Sequence, residues 1–287
     1  SATVFVAENT TATTIVMATD PDSTGLVYSL NGGADEAAFR IDSVTGALRF
    51  VSAPDYESAA DFNGDNVYEV IVQAADSNGA VTTQALFVTV TNINEAPLAT
   101  ITQPGYTASE QIPLVLAGTG MSIFDVDAGS AVIRATLDVT AGVLTGSAGS
   151  TGVMVTGSGT ASLTFEGSQS QINDLLAGKL GSSLAYLIDT DTPPPGDTLT
   201  LVVDDLGSSG SGSSASSAAA VMIDIVAVND APTATSLNMA QNYTEDTVLP
   251  ITPIVVSDVD SANVTVTLTL SDLAAGSLNT GTSGAVT

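Results

Sequence analysis

The chain has 287 residues and a formal charge of −27, from 31 Asp and Glu against four Lys and Arg. So few cations cannot neutralise the carboxylates internally, and Coulomb repulsion excludes a nucleic-acid or anionic-membrane partner. Charged residues are nonetheless only 12% of the chain and apolar ones 44%, too apolar for an acidic disordered tail, so the chain is expected to fold.

Val and Thr enrichment with regularly spaced Gly and Pro favours strands, and the length allows two or three domains. Residues 1–97 carry strand-like runs at Thr3–Val6, Leu26–Leu30, Phe39–Ile41, Val67–Val72 and Ala85–Val90. Turn residues separate them: Asp20-Pro21-Asp22, Asn31-Gly32-Gly33, Thr45-Gly46, Asn63-Gly64-Asp65 and Ser77-Asn78-Gly79. About seven short strands in under a hundred residues predict an immunoglobulin-like β-sandwich, with Tyr28, Tyr56, Tyr68 and the Phe residues as its core.

Residues 98–232 repeat the theme at greater length. Strands are expected around Leu114–Leu116, Ala131–Leu137, Gly152–Val155, Leu163–Phe165, Leu199–Val203 and Ala218–Val226, with a short helix within 168–180. Gly207–Ser217 is low-complexity and reads as a flexible hairpin loop. Residues 233–287 copy the start of the second unit. Tyr106, Asp125-Val126-Asp127 and Ala141-Gly142-Val143-Leu144 correspond to Tyr243, Asp258-Val259-Asp260 and Ala275-Gly276-Ser277-Leu278. The copy covers half a sandwich. Either the remainder lies downstream or another chain completes it by adding strands. A chain that begins inside a strand-like run, lacks an export signal and ends in Thr282-Ser283-Gly284-Ala285-Val286-Thr287 reads as a piece of something longer. No apolar stretch reaches membrane-spanning length, so no membrane insertion is expected of it.

The hinge Asn92-Ile93-Asn94-Glu95-Ala96-Pro97 returns as Ala227-Val228-Asn229-Asp230-Ala231-Pro232. The acidic residues of the first unit fall into two sets around it. Glu8, Asp55, Glu57, Asn92, Asn94 and Glu95 form one, and Asp20, Asp22 and Asp76 form the other. An early Glu, a D-x-D, a D-x-E, a late A-x-D and an N-x-N-E hinge before Pro, in that order, closely resemble the cadherin repeat. The segment Phe39-Arg40-Ile41-Asp42…Thr45-Gly46-Ala47-Leu48 adds to the likeness.

The resemblance implies tandem cadherin-like sandwiches arranged end to end, over 1–97, 98–232 and an incomplete 233–287. It also implies that the first set gathers at the far end of the first domain and binds calcium with Asp125, Asp127 and Asp204 of the second. Asp20, Asp22 and Asp76 would serve a joint to a preceding domain. Asn229 and Asp230 would face Asp258 and Asp260 at the second hinge. Calcium takes six to eight hard oxygen ligands in flexible geometry, which such residues supply. Emptied, the cluster repels itself and the hinge bends; filled, it stiffens.

Two departures stand out. Asn92 occupies a position where many relatives carry Asp. The second unit has Glu110, Asp125-Val126-Asp127, Asp204 and Asn229-Asp230 but no D-x-E counterpart, and Ala227 replaces Asn92. It resembles the shorter cadherin-like repeats of giant bacterial surface proteins, so its hinge is expected to hold fewer ions or none. Glu110 and Glu245 read equally as ligands or solvated charges. Asp138, Asp174, Asp189 and Asp191 read as surface charges or turn formers. Asp61-Phe62-Asn63-Gly64-Asp65-Asn66 has EF-hand-like oxygen spacing, without the Gly and Glu that loop needs.

Cys and His are absent, so neither disulfides nor the usual general base and zinc ligand are available, and no catalysis is expected. A Ser–Lys pair or an isopeptide link would need Lys179, the single lysine. The resulting expectation is a calcium-rigidified spacer and adhesion repeat of a large bacterial surface or secreted protein. Its partners would be calcium ions and neighbouring repeats, of the same or an identical chain. The alternative is an extracellular filament subunit joined by strand complementation through 233–287. A carboxylate-pair enzyme using Asp55 and Glu57 is a third reading.

Overall fold

The computed structural model describes residues 1–22, 25–207, 210–237 and 239–278. Ser208 and Ser209 of the expected loop, and the chain end at Thr282–Thr287, lie outside the described residues. In chain order the first strands are β1 (Ala2–Ala7), β2 (Ala12–Ile15), β3 (Val27–Leu30), β4 (Phe39–Ile41), β5 (Ala47–Phe50), β6 (Val67–Ala75) and β7 (Val81–Thr91). They form a four-stranded sheet ordered β1-β7-β6-β3 and a three-stranded sheet ordered β2-β5-β4. Alternation builds the space between them: Tyr68, Val70, Val72 and Ala74 of β6 point inward while Glu69 stays open. Phe39, Phe50 and Tyr68 meet at centroid distances of 4.5, 5.0 and 6.1 Å and anchor this core.

Phe5 is 71% exposed and Phe62 83%, and Tyr56 and Phe124 are also open, which corrects the assignment of Tyr56 and of every Phe to the core. Phe5 falls on the outward phase of β1, next to inward Val6, and Phe62 sits in a loop. The Thr45-Gly46 turn needs its glycine. Gly46 has φ +69°, and a Cβ there would stand 2.2 Å from the Val16 carbonyl oxygen.

The next elements are β8 (Leu98–Ile101), β9 (Tyr106–Ser109), β10 (Leu114–Val115), β11 (Met121–Phe124), β12 (Ile133–Val139), β13 (Val143–Ser147), β14 (Met154–Thr156) and β15 (Ser162–Gly167). After them come α1 (Gln169–Leu176), β16 (Ser183–Leu187), β17 (Gly196–Asp204) and β18 (Ser216–Val226). The order β9-β18-β17-β12 repeats β1-β7-β6-β3, and β10-β16-β13 repeats β2-β5-β4. Even the unusual parallel pair recurs, β1 with β7 and β9 with β18. What lengthens this unit is β14, β15 and α1, placed between β13 and β16 and widening the larger sheet to six strands. Its core is separate from the first and built on Leu137, Leu144, Phe165, Tyr186 and Leu201.

Ser168 starts α1 with a capping box closed by Gln171, and the helix buries Ile172, Leu175 and Leu176. It is shorter than the apolar pattern implied, because Gly178 turns to φ +70° just past its end. Beyond 232, the described residues form one strand pair, β19 (Thr233–Ala234) with β20 (Val256–Ser257). Among the described residues no helix is long and apolar enough to cross a membrane.

Candidate metal centre at the first hinge

The parallel pairing of β1 with β7 ends both strands at the same place, with Glu8 beside the exit of the hinge. Glu8 N–H donates to the Thr91 carbonyl at 3.1 Å, and Asn9 N–H to the Pro54 carbonyl at 2.9 Å. The second bond carries the Asp55-Tyr56-Glu57 loop to the same end. The buried Glu8 carboxylate then ties both segments, accepting from Tyr56 N–H and Ile93 N–H, each at 2.8 Å.

Carboxylate oxygens of Glu8, Glu57 and Glu95 lie within 4.8 Å of one another. The second unit closes the ring. Asn92 Nδ2 donates to Glu57 at 2.6 Å and to Asp127 at 3.0 Å, while Glu95 N–H donates to Asp127 at 2.6 Å. Asp125 holds its own loop by accepting from Asp127 N–H and Ala128 N–H, both at 2.9 Å. Asn94 Nδ2 donates to Asp205 at 2.6 Å. Asp55 flanks this ring, with its carboxylate on Ser58 N–H at 3.0 Å.

Crowding shows in the acidities. Burial, with repulsion from Glu8 and Asp127 added, pushes Glu57 up to about 7. Burial also raises Asp125, with Asp127 and Asp205 adding to it. Burial acts to raise Asp205 too, but its bonds from Asn94, Gly207 and Ala215 outweigh that and hold it below the ordinary range. Asn92 Oδ1, Asn94 Oδ1 and Asp125 Oδ2 are buried with no hydrogen-bond partner. Oxygens buried unpartnered among crowded carboxylates are costly, and a hard cation satisfies them. The donors are all oxygen, which fits calcium rather than zinc or copper.

Asp205, rather than the expected Asp204, faces the hinge. Asp205 is 1% exposed, whereas the Asp204 carboxylate accepts Leu206 N–H at 2.8 Å, at the end of β17. At adjacent positions of a strand end only one of two carboxylates points to a given side. Asp20, Asp22 and Asp76 lie apart from this ring. Asp22 N–H donates to Asp20 at 3.0 Å, and Asp76 accepts from Asn78 and Ala80 N–H at 3.0 and 2.7 Å. The β6–β7 register, with Val67 opposite Thr89 and Ala75 opposite Val81, puts Asp76 at the other end of the sandwich. In the EF-hand-like stretch, Asp61 accepts from Asp65 and Asn66 N–H at 2.9 and 3.0 Å, so its oxygens shape a turn.

The second hinge repeats this scaffold. Glu110 N–H donates to the Val226 carbonyl at 3.0 Å, as Glu8 does to Thr91, and Gln111 N–H to the Ile188 carbonyl at 2.7 Å, as Asn9 does to Pro54. Asp189-Thr190-Asp191 therefore occupies the place of Asp55-Tyr56-Glu57. The segment is a D-x-D rather than a D-x-E, and both aspartates are exposed as expected of surface charges, but the backbone places them at this hinge. Gln111 Nε2 bridges Asp191 at 3.0 Å and Asp230 at 3.5 Å. Asp230 N–H reaches Asp260 at 2.5 Å, and Asp258 accepts from Asp260 and Ser261 N–H at 2.9 and 2.8 Å. The Asn229 side chain donates to the Asp230 carbonyl instead. Glu110 is 1% exposed, and neither of its carboxylate oxygens has a hydrogen-bond partner; Asp230 Oδ2 lacks one too.

Residues 2–91 match the family model of the cadherin domain. A stretch of human Protocadherin-23 is 36% identical over 124 residues, covering 41% of this chain and 4% of that protein. The chain thus spans a small fraction of the curated relative it matches. Among solved structures, domains EC1-2 of human Protocadherin-24 share 20% identity over 78% of this chain and 95% of that one, with a TM-score of 0.43. Domains EC1-4 of Drosophila N-cadherin share 18% over 79% of this chain and 48% of that one, with a TM-score of 0.42. These relatives are human and fly proteins, so the bacterial setting expected from the sequence draws no support from them.

Proposed function

We propose that the first hinge is a calcium-binding joint that stiffens consecutive β-sandwich modules, 1–97, 98–232 and 233–287, of a large extracellular adhesion protein. Glu8, Asp55, Glu57, Asn92, Asn94, Glu95, Asp125, Asp127 and Asp205 would hold the ions. Bound calcium would supply the positive charge that this cluster lacks. The observation that carries the reading is the trio of buried, unpartnered oxygens on Asn92, Asn94 and Asp125, set among mutually repelling carboxylates. The second hinge, with Glu110, Asp189, Asp191, Asp230, Asp258 and Asp260, is proposed as a further joint of different ligand set. Asp20, Asp22 and Asp76 would serve a module on the opposite side.

On this reading the role is mechanical: the modules extend reach and meet neighbouring repeats at a cell surface, with no catalysis. A bacterial surface protein acting in attachment or biofilm fits the departures of the second unit from the animal pattern. Exposed apolar residues of the third module, among them Leu237, Met239 and Ile251, favour a second reading in which an identical chain packs there and builds a filament. Calorimetric titration with calcium, paired with small-angle scattering in calcium and in EDTA, tests the joint. Saturable heat and a longer, straighter particle in calcium are expected. No heat, together with identical scattering in the two buffers, refutes it.

A further inference from the structure

After Asp205 and Leu206, the loop between β17 and β18 is built of Gly, Ser and one Ala, with no side chain large enough to pack, yet its described part is tied to the hinge. Ser211 pairs with Ile93 as a parallel β-bridge. Ser211 N–H donates to the Asn92 carbonyl at 3.1 Å, Asn94 N–H donates to the Ser211 carbonyl at 3.1 Å, and Ser211 Oγ adds a further bond to Asn92 at 3.1 Å. The Asn94 side chain donates to the Ser213 carbonyl at 3.2 Å. Asp205 closes the base of the loop through Gly207 N–H at 2.8 Å and Ala215 N–H at 2.9 Å. The approach is so close that a Cβ on Gly210 would stand 2.1 Å from Asn92 Oδ1 and 2.4 Å from Asn94 N. A flexible loop was expected here; the small residues instead let two backbones touch.

We infer that residues 210–215 are a latch that fastens the hinge to the second unit by main-chain pairing, independently of any ion. The hinge is gripped from two sides. Ile93 N–H goes to a carboxylate of the first unit, while Asn92 C=O and Asn94 N–H go to the loop of the second. The two grips differ in chemistry. The Glu8 grip sits inside the repelling cluster, whereas the Ser211 main-chain bonds to Asn92 and Asn94 join neutral amides that neither titrate nor depend on a cation; the Asp205 carboxylate lies at the base of the loop, away from that pairing. Emptying the cluster therefore loosens the first-unit side and leaves Asn92–Asn94 moving with the second unit. The latch fixes where the joint bends: next to Glu8, rather than along the whole linker.

Amide hydrogen exchange, resolved by residue, tests this on the full chain in calcium and in EDTA, for the wild type and for Gly210→Val and Ser211→Pro. In EDTA the wild-type Ile93 and Tyr56 amides should lose protection, while Asn94 and Ser211 stay within about threefold of their calcium values. Gly210→Val should lower protection at Asn94 and Ser211 on the order of tenfold in both buffers, as expected for two lost main-chain bonds. Ser211→Pro should do the same at Asn94. Unchanged exchange at core Leu201 reports that the second unit is folded. The latch is overturned if EDTA alone frees Asn94 and Ser211, or if both variants leave Asn94 protected. The variant outcome is read in EDTA alone and holds whether or not calcium binds; the EDTA outcome rests on calcium binding, which titration decides separately.

Discussion

Replacing Asp205 and Asp204 one at a time separates the arrangement in the structure from the one the cadherin resemblance implies. Asp205 is buried and accepts from Asn94 Nδ2 at 2.6 Å, Gly207 N–H at 2.8 Å and Ala215 N–H at 2.9 Å. Hydrogen bonds to a charged acceptor contribute about 1.5–3 kcal/mol each. Part of that returns in Asp205→Ala, because the freed donors lie near solvent and a buried charge is removed. A net loss of about 3 kcal/mol follows. The Asp204 carboxylate accepts from Leu206 N–H at 2.8 Å at an open strand end, so Asp204→Ala should lose about 1 kcal/mol or less.

Urea unfolding in EDTA measures both without contribution from ion linkage. The pH dependence gives a second handle. The folded-state acidity of Asp205 is held below its unfolded value, so its contribution is present above the unfolded pKa and is lost as pH falls through the folded one. The gap between Asp205→Ala and wild type should close in strongly acid solution. Calcium affinity of Asp205→Ala should also fall by about tenfold or more, because the proposed site loses a carboxylate and Asn94 loses the partner that aims it. Equal destabilisation by the two substitutions, or a larger loss for Asp204→Ala, refutes the assignment.

Glu57 carries the opposite linkage. Its folded pKa is raised from 4.5 to about 7, so its contribution is full below the unfolded value and disappears as pH climbs through 7. The melting temperature in EDTA should therefore drop between pH 5.5 and pH 8, and calcium affinity should weaken on acidification below 7 as the proton competes; a melting temperature that rises with pH across this window contradicts the crowded site. At the second hinge, Glu110→Gln removes a buried charge whose oxygens have no partner. In EDTA this variant should be more stable than wild type by about 1–3 kcal/mol, and it should lose any calcium-dependent gain that hinge provides. Destabilisation in EDTA would show that the carboxylate is satisfied by other means.

Side-chain chemistry made much of the first joint legible. The resemblance to the cadherin repeat grouped Glu8, Asp55, Glu57, Asn92, Asn94, Glu95, Asp125, Asp127 and Asp204. The structure links all of these around the hinge except Asp55, whose carboxylate turns to Ser58, and Asp204, whose place Asp205 takes. The long alternating strands β6, β7, β12, β17 and β18 were legible for the same reason, since one face of each must be apolar. Short strands such as β2 and β8 carry too few residues for a period to show. Asp189 and Asp191 were hidden by the insertion of β14, β15 and α1, which stretches the distance from Glu110 well beyond that from Glu8 to Asp55.

Two of the features that escaped the sequence live in the backbone. Choosing Asp205 over Asp204 depends on the phase at which β17 ends, and pairing Ser211 with Ile93 depends on two main chains meeting where neither has a distinctive side chain. A Gly-Ser loop looks the same in composition whether it swings free or lies against a linker within 2.4 Å of a would-be Cβ, and only the fold decides between those states. It follows that candidate ion ligands can be sought by type along chains of this kind, while the elements that set how a joint bends must be sought in the hydrogen-bond pattern of its linker. Here that pattern puts the Asn92–Asn94 segment with the second unit and leaves the Glu8 carboxylate as the movable contact.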